Sequence, residues 1–275
     1  MPSLSALQSL LDGAGLHSDV ARWLAVFALV FARVAAAVVF APFLGGQSLP
    51  GAIKVGLGFV LSAVMLPALI QDISLPSSGL LFLALLAKEA VIGSAIGFWA
   101  QLVFYAVQMA GTLVDTQRGL NQITFLAPQL EGHPSALGAL QFQAALAVFL
   151  ALQGHLMFIG ALTKSFRQLP ITEMPQLKAG IMPLADLAAR ISADALLLGC
   201  QIAAPVVLAL FLVDVAFASA GRVASQIRIS ADAFTAKALV GLGLVCLLTA
   251  AFLDQLTPAF ARLARNVNIF IEAMR

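Results

Sequence analysis

Six long apolar blocks, divided by connections that contain polar residues, glycine and proline, dominate this sequence. A transmembrane helix needs about 20 mostly apolar residues, and each block is near that length or beyond it. Alternating segments of about ten residues, typical of membrane β-barrels, do not occur. The pattern predicts an all-α membrane protein with about six long apolar helices arranged as hairpins. The blocks are residues 20–44, 54–71, 79–114, 136–163, 191–220 and 236–260.

The composition supports the same class. Hydrophobic residues make up 61% of the chain and charged residues 10%, with a mean hydropathy of +1.00. Soluble domains carry about 25% charged residues, so the apolar excess must face lipid or other apolar protein. The net charge of +2 comes without the clustered basic face that nucleic-acid binding requires. We therefore expect neither a soluble enzyme nor a nucleic-acid partner.

Cysteines and histidines form no metal-binding pattern in the sequence. Cys200 and Cys246 both lie inside apolar blocks, where we expect them to be buried as small apolar side chains. The three histidines are scattered along the chain. We therefore predict no metal site and no cofactor.

The third block is too long for one simple span, since residues 79–114 would extend roughly 50 Å as a helix. Lys88 and Glu89 lie near its start, so we expect this block either to protrude with a tilt or to break near these charges. Adjacent residues point about 100° apart on a helix, which predicts that the two charges have separate partners and serve each other poorly. Gly93 and Gly97 form a small-xxx-small row, which either permits a close helix contact or reflects the abundance of small residues.

Charged residues within apolar blocks are the most informative local feature. A charge at the centre of a membrane helix costs about 2.5–3.5 kcal/mol, so it usually faces protein or water and has a partner. Arg33 and Asp214 lie deep in their blocks, which predicts opposite charges on neighbouring helices or on another subunit. Asp194 and Lys237 lie near block ends, where their side chains can reach the membrane interface.

The polar segment after the third block is the best candidate for a functional site. Asp115 and Arg118 are three residues apart and can pair at the helix end. Gly119 then permits a turn, and Phe125 and Leu126 can fill a space. Irregular backbone at membrane depth is tolerated only where protein or a water cavity surrounds it. The segment is therefore either a buried functional element or an ordinary surface loop.

Motifs of common catalytic sites are absent from the sequence. It contains no P-loop, no Gly-x-Ser-x-Gly elbow and no His-Glu-x-x-His motif, which argues against an enzyme. A secondary transporter for a small solute is the alternative, and it would favour internal repeats with matching broken helices. A membrane-embedded enzyme is a third reading, but no nucleophile, metal site or acid–base set supports it.

Four stretches of the sequence carry a family resemblance: Arg33 to Pro50 with Lys54 to Gly56, Lys88 to Phe98, Ala110 to Gly119, and Pro205 to Asp214 with Lys237 to Gly241. Together they resemble the FliR/SctT family, also called SpaR or YscT. Members of this family are inner-membrane proteins of the export gate in flagellar and injectisome type III secretion systems. The form of residues 115–119, Asp-Thr-Gln-Arg-Gly, is more similar to the injectisome branch. Residues 225–230 depart from the family by lacking its proline and asparagine, which weakens a role for that loop.

The resemblance implies a single export-gate domain over residues 1–275 in the bacterial inner membrane. One copy joins several copies of P/R-type and Q/S-type subunits, and a U/FlhB-type switch protein, in a helical, funnel-like assembly around a channel. The implied cargo is unfolded secreted protein. Energy comes from the proton motive force and a separate ATPase, so the chain itself needs no cofactor. The residues implied in ion pairs between subunits are Arg33, Lys54, Glu89, Asp115, Arg118, Asp214 and Lys237.

The resemblance also implies a plug that closes the channel before secretion. The segment after Gly119 matches that part of the family, so we expect residues 119–134 to gate the channel. The residues expected to form this plug are Gly119, Leu120, Asn121, Phe125, Leu126 and Pro128.

Overall fold

A computed structural model describes residues 16–44, 49–69, 78–119, 135–175, 182–223 and 229–273 of the chain. Within these residues the regular secondary structure is helical and includes no strand, which confirms the predicted all-α class. The helices are α1 (Leu16–Phe40), α2 (Gly51–Leu69), α3 (Gly79–Gln117), α4 (Ala136–Ala151), α5 (Gly154–Gln168), α6 (Met182–Val223), α7 (Ile229–Leu247) and α8 (Thr249–Ala273), with a 3₁₀ turn at Pro42–Leu44.

Four of these helices are long and apolar enough to cross a membrane: α1 from Arg22 onward, α2, α3, and α6 up to Arg222. Two further pairs, α4 with α5 and α7 with α8, pass the same test together but bend by 71° and 55°. The described chain therefore offers 4 spans, or up to 6 if each bent pair is one span. This range confirms a multi-pass membrane protein.

The breaks between helices lie elsewhere than near Lys88 and Glu89. α3 runs unbroken for 39 residues past these two charges, so the alternative of a break there is wrong. The fourth block instead divides at Gln153, which has a φ of +57°, and the ring of Phe149 fills the space that a Cβ on Gly154 would need. The sixth block divides between α7 and α8. Apolar residues continue through the bend between α7 and α8, whereas Gln153, Gly154 and His155 interrupt the apolar run at the bend between α4 and α5.

The chain divides into two compact units. Unit 1 comprises Met1–Gln101, Met157–Leu184 and Val267–Arg275, and unit 2 comprises Leu102–Leu156 and Ala185–Asn266. The boundaries fall inside α3, α5, α6 and α8, not in the connections between helices. The expectation of one export-gate domain over residues 1–275 stays a prediction.

Close packing of α1 against α3 builds the centre of unit 1. A Cβ added to Gly93 of α3 would collide with the carbonyl oxygen of Arg33 in α1. A Cβ added to Gly97 would lie 2.6 Å from the carbonyl oxygen of Ala37. The two glycines therefore let the helix backbones approach more closely than any larger residue would allow.

Aromatic and glycine contacts build the centre of unit 2. Phe104 of α3 packs against Phe149 of α4 and Phe260 of α8, with centroid distances of 5.3 and 5.4 Å. At Gly111 of α3, an added Cβ would lie 2.5 Å from the Cα of Gly138 in α4. This contact brings the end of α3 beside the start of α4.

Both units also carry large apolar side chains on their outer faces, such as Val64 of α2 and Leu239 of α7, which are 72% and 68% exposed. Cys200 and Cys246 are exposed as well, so the expectation that they are buried is wrong. Lipid tails are as apolar as leucine, and the outward face of a membrane helix therefore needs no polar residues. An apolar position in this sequence does not by itself indicate a core position.

Candidate functional site

A fully buried arginine lies at the centre of a polar cluster in unit 1. Neither Arg33 of α1 nor Glu89 of α3 has exposed surface. The guanidinium donates two hydrogen bonds to this carboxylate: Nε donates to Oε2, and Nη2 donates to Oε1 at 3.0 Å. A bidentate pair of this kind is strong and directional, so it fixes the register of α1 against α3.

The other donors of Arg33 are also used. Nη1 donates to the hydroxyl oxygen of Ser165 at 3.1 Å, and Nη2 donates to the carbonyl oxygen of Leu169 at 2.9 Å. The guanidinium carbon lies 4.2 Å from the centroid of the Phe166 ring. A buried ion pair is tolerated when its geometry is good and its remaining polar atoms are bonded, and Arg33 meets both conditions.

Lys88 completes this cluster. Its ammonium donates hydrogen bonds of 2.9 Å to the carbonyl oxygens of Pro170, Ile171 and Glu173, and it lies 2.7 Å from Glu89 Oε1. The prediction that Lys88 and Glu89 serve each other poorly is wrong, because the flexible lysine stem folds back across the angle of about 100° between the two side chains. Each residue also has the separate partner that the sequence predicts. The buried ionic cluster is Arg33, Lys88, Glu89 and Ser165.

A second polar cluster, in unit 2, joins the two ends of residues 120–134. Asp115, near the end of α3, is buried. Its Oδ2 accepts hydrogen bonds from the Ser135 hydroxyl at 2.6 Å and from the Leu137 backbone N–H at 2.9 Å. Ser135 caps α4 by accepting a hydrogen bond from the Gly138 N–H at 2.9 Å. A carboxylate at a helix N-terminus is favoured by the helix dipole, so Asp115 stabilises the start of α4.

Arg118 extends the second cluster from α3 to α7. Its Nη1 donates to Asp115 Oδ1 at 3.1 Å, which confirms the predicted pair at the helix end. Its Nη2 donates to the carbonyl oxygen of Ala238 at 3.2 Å. The next residue, Gly119, has a φ of +83°, a conformation that glycine adopts without strain and that confirms the predicted turn. The loop tie is Asp115, Arg118, Ser135, Leu137 and Ala238.

A third charged contact links α6 to α7 in unit 2. The ammonium of Lys237 lies 2.9 and 3.2 Å from the two carboxylate oxygens of Asp214. The side chain of Asp214 is 41% exposed, so its carboxylate is accessible to a further partner. Lys54, the remaining residue of the predicted ion-pair set, has no ion-pair partner among the described residues.

Most of the predicted charges therefore find a partner within the same chain. Contacts between subunits, which the family resemblance implies for these residues, stay predictions. The pairs within the chain are Arg33 with Glu89, Asp115 with Arg118, and Asp214 with Lys237.

The predicted plug lies mostly outside the described residues. Gly119 is among the described residues, and the described part of the chain resumes at residue 135. The predicted plug residues outside the described part are Leu120, Asn121, Phe125, Leu126 and Pro128.

The sequence identifies Arg118 as a partner of Asp115, but it does not identify the other members of the loop tie. A serine directly before an apolar helix is an N-cap signal, and this signal could have identified Ser135. The N–H of Leu137 and the carbonyl of Ala238 carry no such signal, because nearly every residue supplies both backbone groups.

The comparisons with known proteins agree with one another on the family. The model of the family described as bacterial export proteins, family 1, matches residues 24–263. The chain is 30% identical over 245 residues to the flagellar biosynthetic protein FliR of Pectobacterium carotovorum subsp. carotovorum, covering 88% of this chain and 89% of that protein. It is 25% identical over 256 residues to the Yop proteins translocation protein T of Yersinia pestis, covering 93% and 97%.

A shorter match leads to the secretion system apparatus protein SsaT of Salmonella typhimurium, at 32% identity over 155 residues, or 55% of this chain and 60% of that protein. The matches thus include both flagellar and secretion-system proteins. The greater similarity to the injectisome branch stays a prediction.

We predict that Glu89→Ala strongly destabilises the protein, because it leaves the Arg33 guanidinium buried without its counter-charge. Breaking a buried ion pair costs about 3–5 kcal/mol. Thermal unfolding of the purified protein in detergent measures the loss. The double variant Arg33→Met with Glu89→Leu removes both charges and should regain most of the lost stability.

The matched control for this test is Asp186→Ala, which breaks the Arg190–Asp186 pair on α6, where both side chains are mostly exposed. This control should leave the unfolding temperature nearly unchanged. Equal effects of Glu89→Ala and Asp186→Ala would contradict the central role of the buried ionic cluster.

We further predict that Asp115→Ala frees the ends of residues 120–134, because three hydrogen bonds to one carboxylate are lost. A loss of about 1.4 kcal/mol in the free energy that holds these ends together corresponds to a tenfold rise in the population in which they are apart. Chymotrypsin cleavage at Phe125 and Leu126 should accelerate by about that factor. Asp115→Asn keeps an acceptor oxygen, so its cleavage rate should lie between those of the unaltered protein and Asp115→Ala.

The neighbouring variant Gln117→Ala, at an exposed position of the same helix end, should cleave at the unaltered rate. The loop tie has no closing role if Asp115→Ala is cleaved no faster than this control.

Proposed function

This chain belongs to family 1 of the bacterial export proteins, and we propose that it forms part of the protein-conducting export gate of a type III secretion system. It is a multi-pass membrane protein, which the proposal places in the bacterial inner membrane as one export-gate domain. Its relatives are named for flagellar biosynthesis, translocation and a secretion apparatus, and these names support the proposal. They give no support to the alternative of a secondary transporter for a small solute.

The proposed role is that of a channel and assembly component, not of an enzyme. The proposed partners are P/R-type and Q/S-type subunits and a U/FlhB-type switch protein, with unfolded secreted proteins as cargo. Outward apolar faces on α2, α3, α6 and α7 support an embedded, many-partner environment, since such faces need lipid or other apolar helices.

The loop tie is the observation that carries the gating part of the proposal. One carboxylate, that of Asp115, holds the chain on both sides of residues 120–134. Arg118 holds the same point to α7 through the Ala238 carbonyl. A loop whose ends are fixed together can close over a channel or withdraw from it without unwinding α3 or α4. Its bulky apolar side chains, which would exclude hydrated ions, include those of Leu120, Phe125 and Leu126.

The ionic part of the proposal concerns contacts between subunits. Asp214 and Lys237 pair with each other, yet the Asp214 carboxylate keeps 41% of its surface exposed. Lys54 has no ion-pair partner among the described residues. Exposed charges on a membrane protein are costly unless they meet water, lipid head groups or an opposite charge. We propose that these side chains contact charged residues of neighbouring subunits.

Deleting residues 120–126 should raise the ion leak through the assembled complex, because the apolar bulk of the plug is removed. Single-complex conductance in a planar bilayer measures the leak. Replacing the same residues with a Gly-Ser linker of equal length keeps the ends of the loop at their natural spacing and should leak similarly. Unchanged conductance in both variants would remove the gating proposal.

Lys237→Glu should reduce co-purification of the partner subunits, because it places a second carboxylate beside Asp214. Placing like charges side by side at an interface costs several kcal/mol, which corresponds to a loss of tenfold or more in the complex recovered. The exchange variant Asp214→Lys with Lys237→Glu restores the pair within the chain but not its orientation toward a partner.

If another subunit recognises these charges, the exchange variant remains defective. Full recovery by the exchange would instead assign the pair to folding of this chain alone. Arg222→Glu, at an exposed position on α6, is the control and should co-purify normally.

A further inference from the structure

A small groove in unit 2 lies between α6 and α8. Its floor is apolar and buried, and includes Val103 of α3, Leu198 of α6 and Leu263 of α8. Its rim carries two exposed charges of opposite sign, Asp194 on α6 and Arg262 on α8. The groove therefore combines an apolar base with a carboxylate and a guanidinium at its opening.

The two rim charges do not satisfy each other. Although both side chains line the same groove, the structure forms no ion pair between these described residues, and neither has an interaction with another described side chain. The contrast on the same helix is Arg190, whose Nε lies 2.7 Å from Asp186 at i,i+4. A carboxylate and a guanidinium that face one groove without pairing are arranged for a ligand that carries both charges.

The position of Asp194 along α6 places the groove at the membrane interface. No charged residue occurs between Asp194 and Asp214. At 1.5 Å per residue these two aspartates lie roughly 30 Å apart along the helix, the thickness of a bilayer hydrocarbon core. Asp194 therefore lies at the level of lipid head groups when α6 spans the membrane.

The groove is small. The cavity measures about 30 Å³, and a single water molecule needs roughly 10–15 Å³. A primary ammonium has N–H groups that can donate hydrogen bonds to the Asp194 carboxylate, whereas a trimethylated ammonium has none. An acyl chain would remain outside, against the apolar surface of the neighbouring helices.

We propose that this groove binds a zwitterionic phospholipid with a primary ammonium, of the phosphatidylethanolamine class. The ammonium donates hydrogen bonds to the Asp194 carboxylate, and the phosphate accepts hydrogen bonds from the Arg262 guanidinium. Asn266, which also lines the groove, can donate to the glycerol ester oxygens. The site goes beyond the export function, since it would anchor this chain in the bilayer whether or not the gate transports protein.

The test uses the purified assembled complex in detergent, titrated with phosphatidylethanolamine, phosphatidylcholine or phosphatidylglycerol and observed by native mass spectrometry. We expect phosphatidylethanolamine to bind about tenfold more tightly than either other lipid, the effect of one lost charge-assisted contact. Because this comparison uses the unaltered protein, it does not depend on how well any variant folds.

Variants then assign the two contacts. Asp194→Asn should abolish the preference for phosphatidylethanolamine over phosphatidylcholine. Arg262→Gln should weaken the binding of both lipids. The matched controls Asp186→Asn and Arg190→Gln change the same charges on α6 outside the groove and should leave the titrations unaltered. The unfolding temperature of each variant is measured alongside.

Several outcomes would overturn the lipid site. Equal binding of the three lipids would exclude selection by an ammonium. Tighter binding of phosphatidylglycerol, increased by Asp194→Asn, would assign the groove to anionic lipid. Loss of a partner subunit in Asp194→Asn or Arg262→Gln, without any change in lipid binding, would assign it to protein contact.

Discussion

Unit 1 depends on neutralising one guanidinium that has no access to water. An unpaired charge at the place of Arg33 would cost several kcal/mol, so α1 can occupy its position only with Glu89 beside it. Gly93, one helical turn after Glu89, removes the side chain that would hold the two backbones apart, and the atom that its Cβ would strike is the carbonyl oxygen of Arg33 itself. The ion pair and the glycine therefore act at one point of contact, each making the other effective. Ser165 then connects this point to α5, and Lys88 connects it to the chain that follows α5.

In the loop tie, too, a buried charge has a partner of opposite sign. Asp115 is nearly as buried as Glu89, but two of its three hydrogen bonds go to the start of a helix instead of a second buried side chain. A carboxylate in this position satisfies one orphan N–H group of α4, that of Leu137, together with the guanidinium of Arg118. All of these contacts are made by residues outside 120–134.

The charges of α6 show how position along a membrane helix determines what a side chain can do. Asp194 and Asp214 bracket a charge-free stretch that matches the hydrocarbon core in length. Asp214 has Lys237 within hydrogen-bond distance, whereas Asp194 faces a groove with an unpaired arginine on the opposite rim. Two residues of one type on one helix thus have different chemistry, and the neighbouring helices cause the difference.

Much of this protein could be predicted from its sequence, because local interactions determine it. The apolar blocks determine a helical membrane protein, and the matched stretches determine its family. The Asp115–Arg118 pair and the turn at Gly119 follow from spacing within a few residues. What required the tertiary structure is which distant groups meet: Arg33 and Glu89 are 56 positions apart, and Asp115 bonds to backbone across the whole loop. The bend at Gln153 and the exposure of Cys200 and Cys246 also escaped prediction. The reason for the cysteines is that a chain surrounded by lipid is apolar inside and outside alike, and hydrophobicity then no longer distinguishes core from surface.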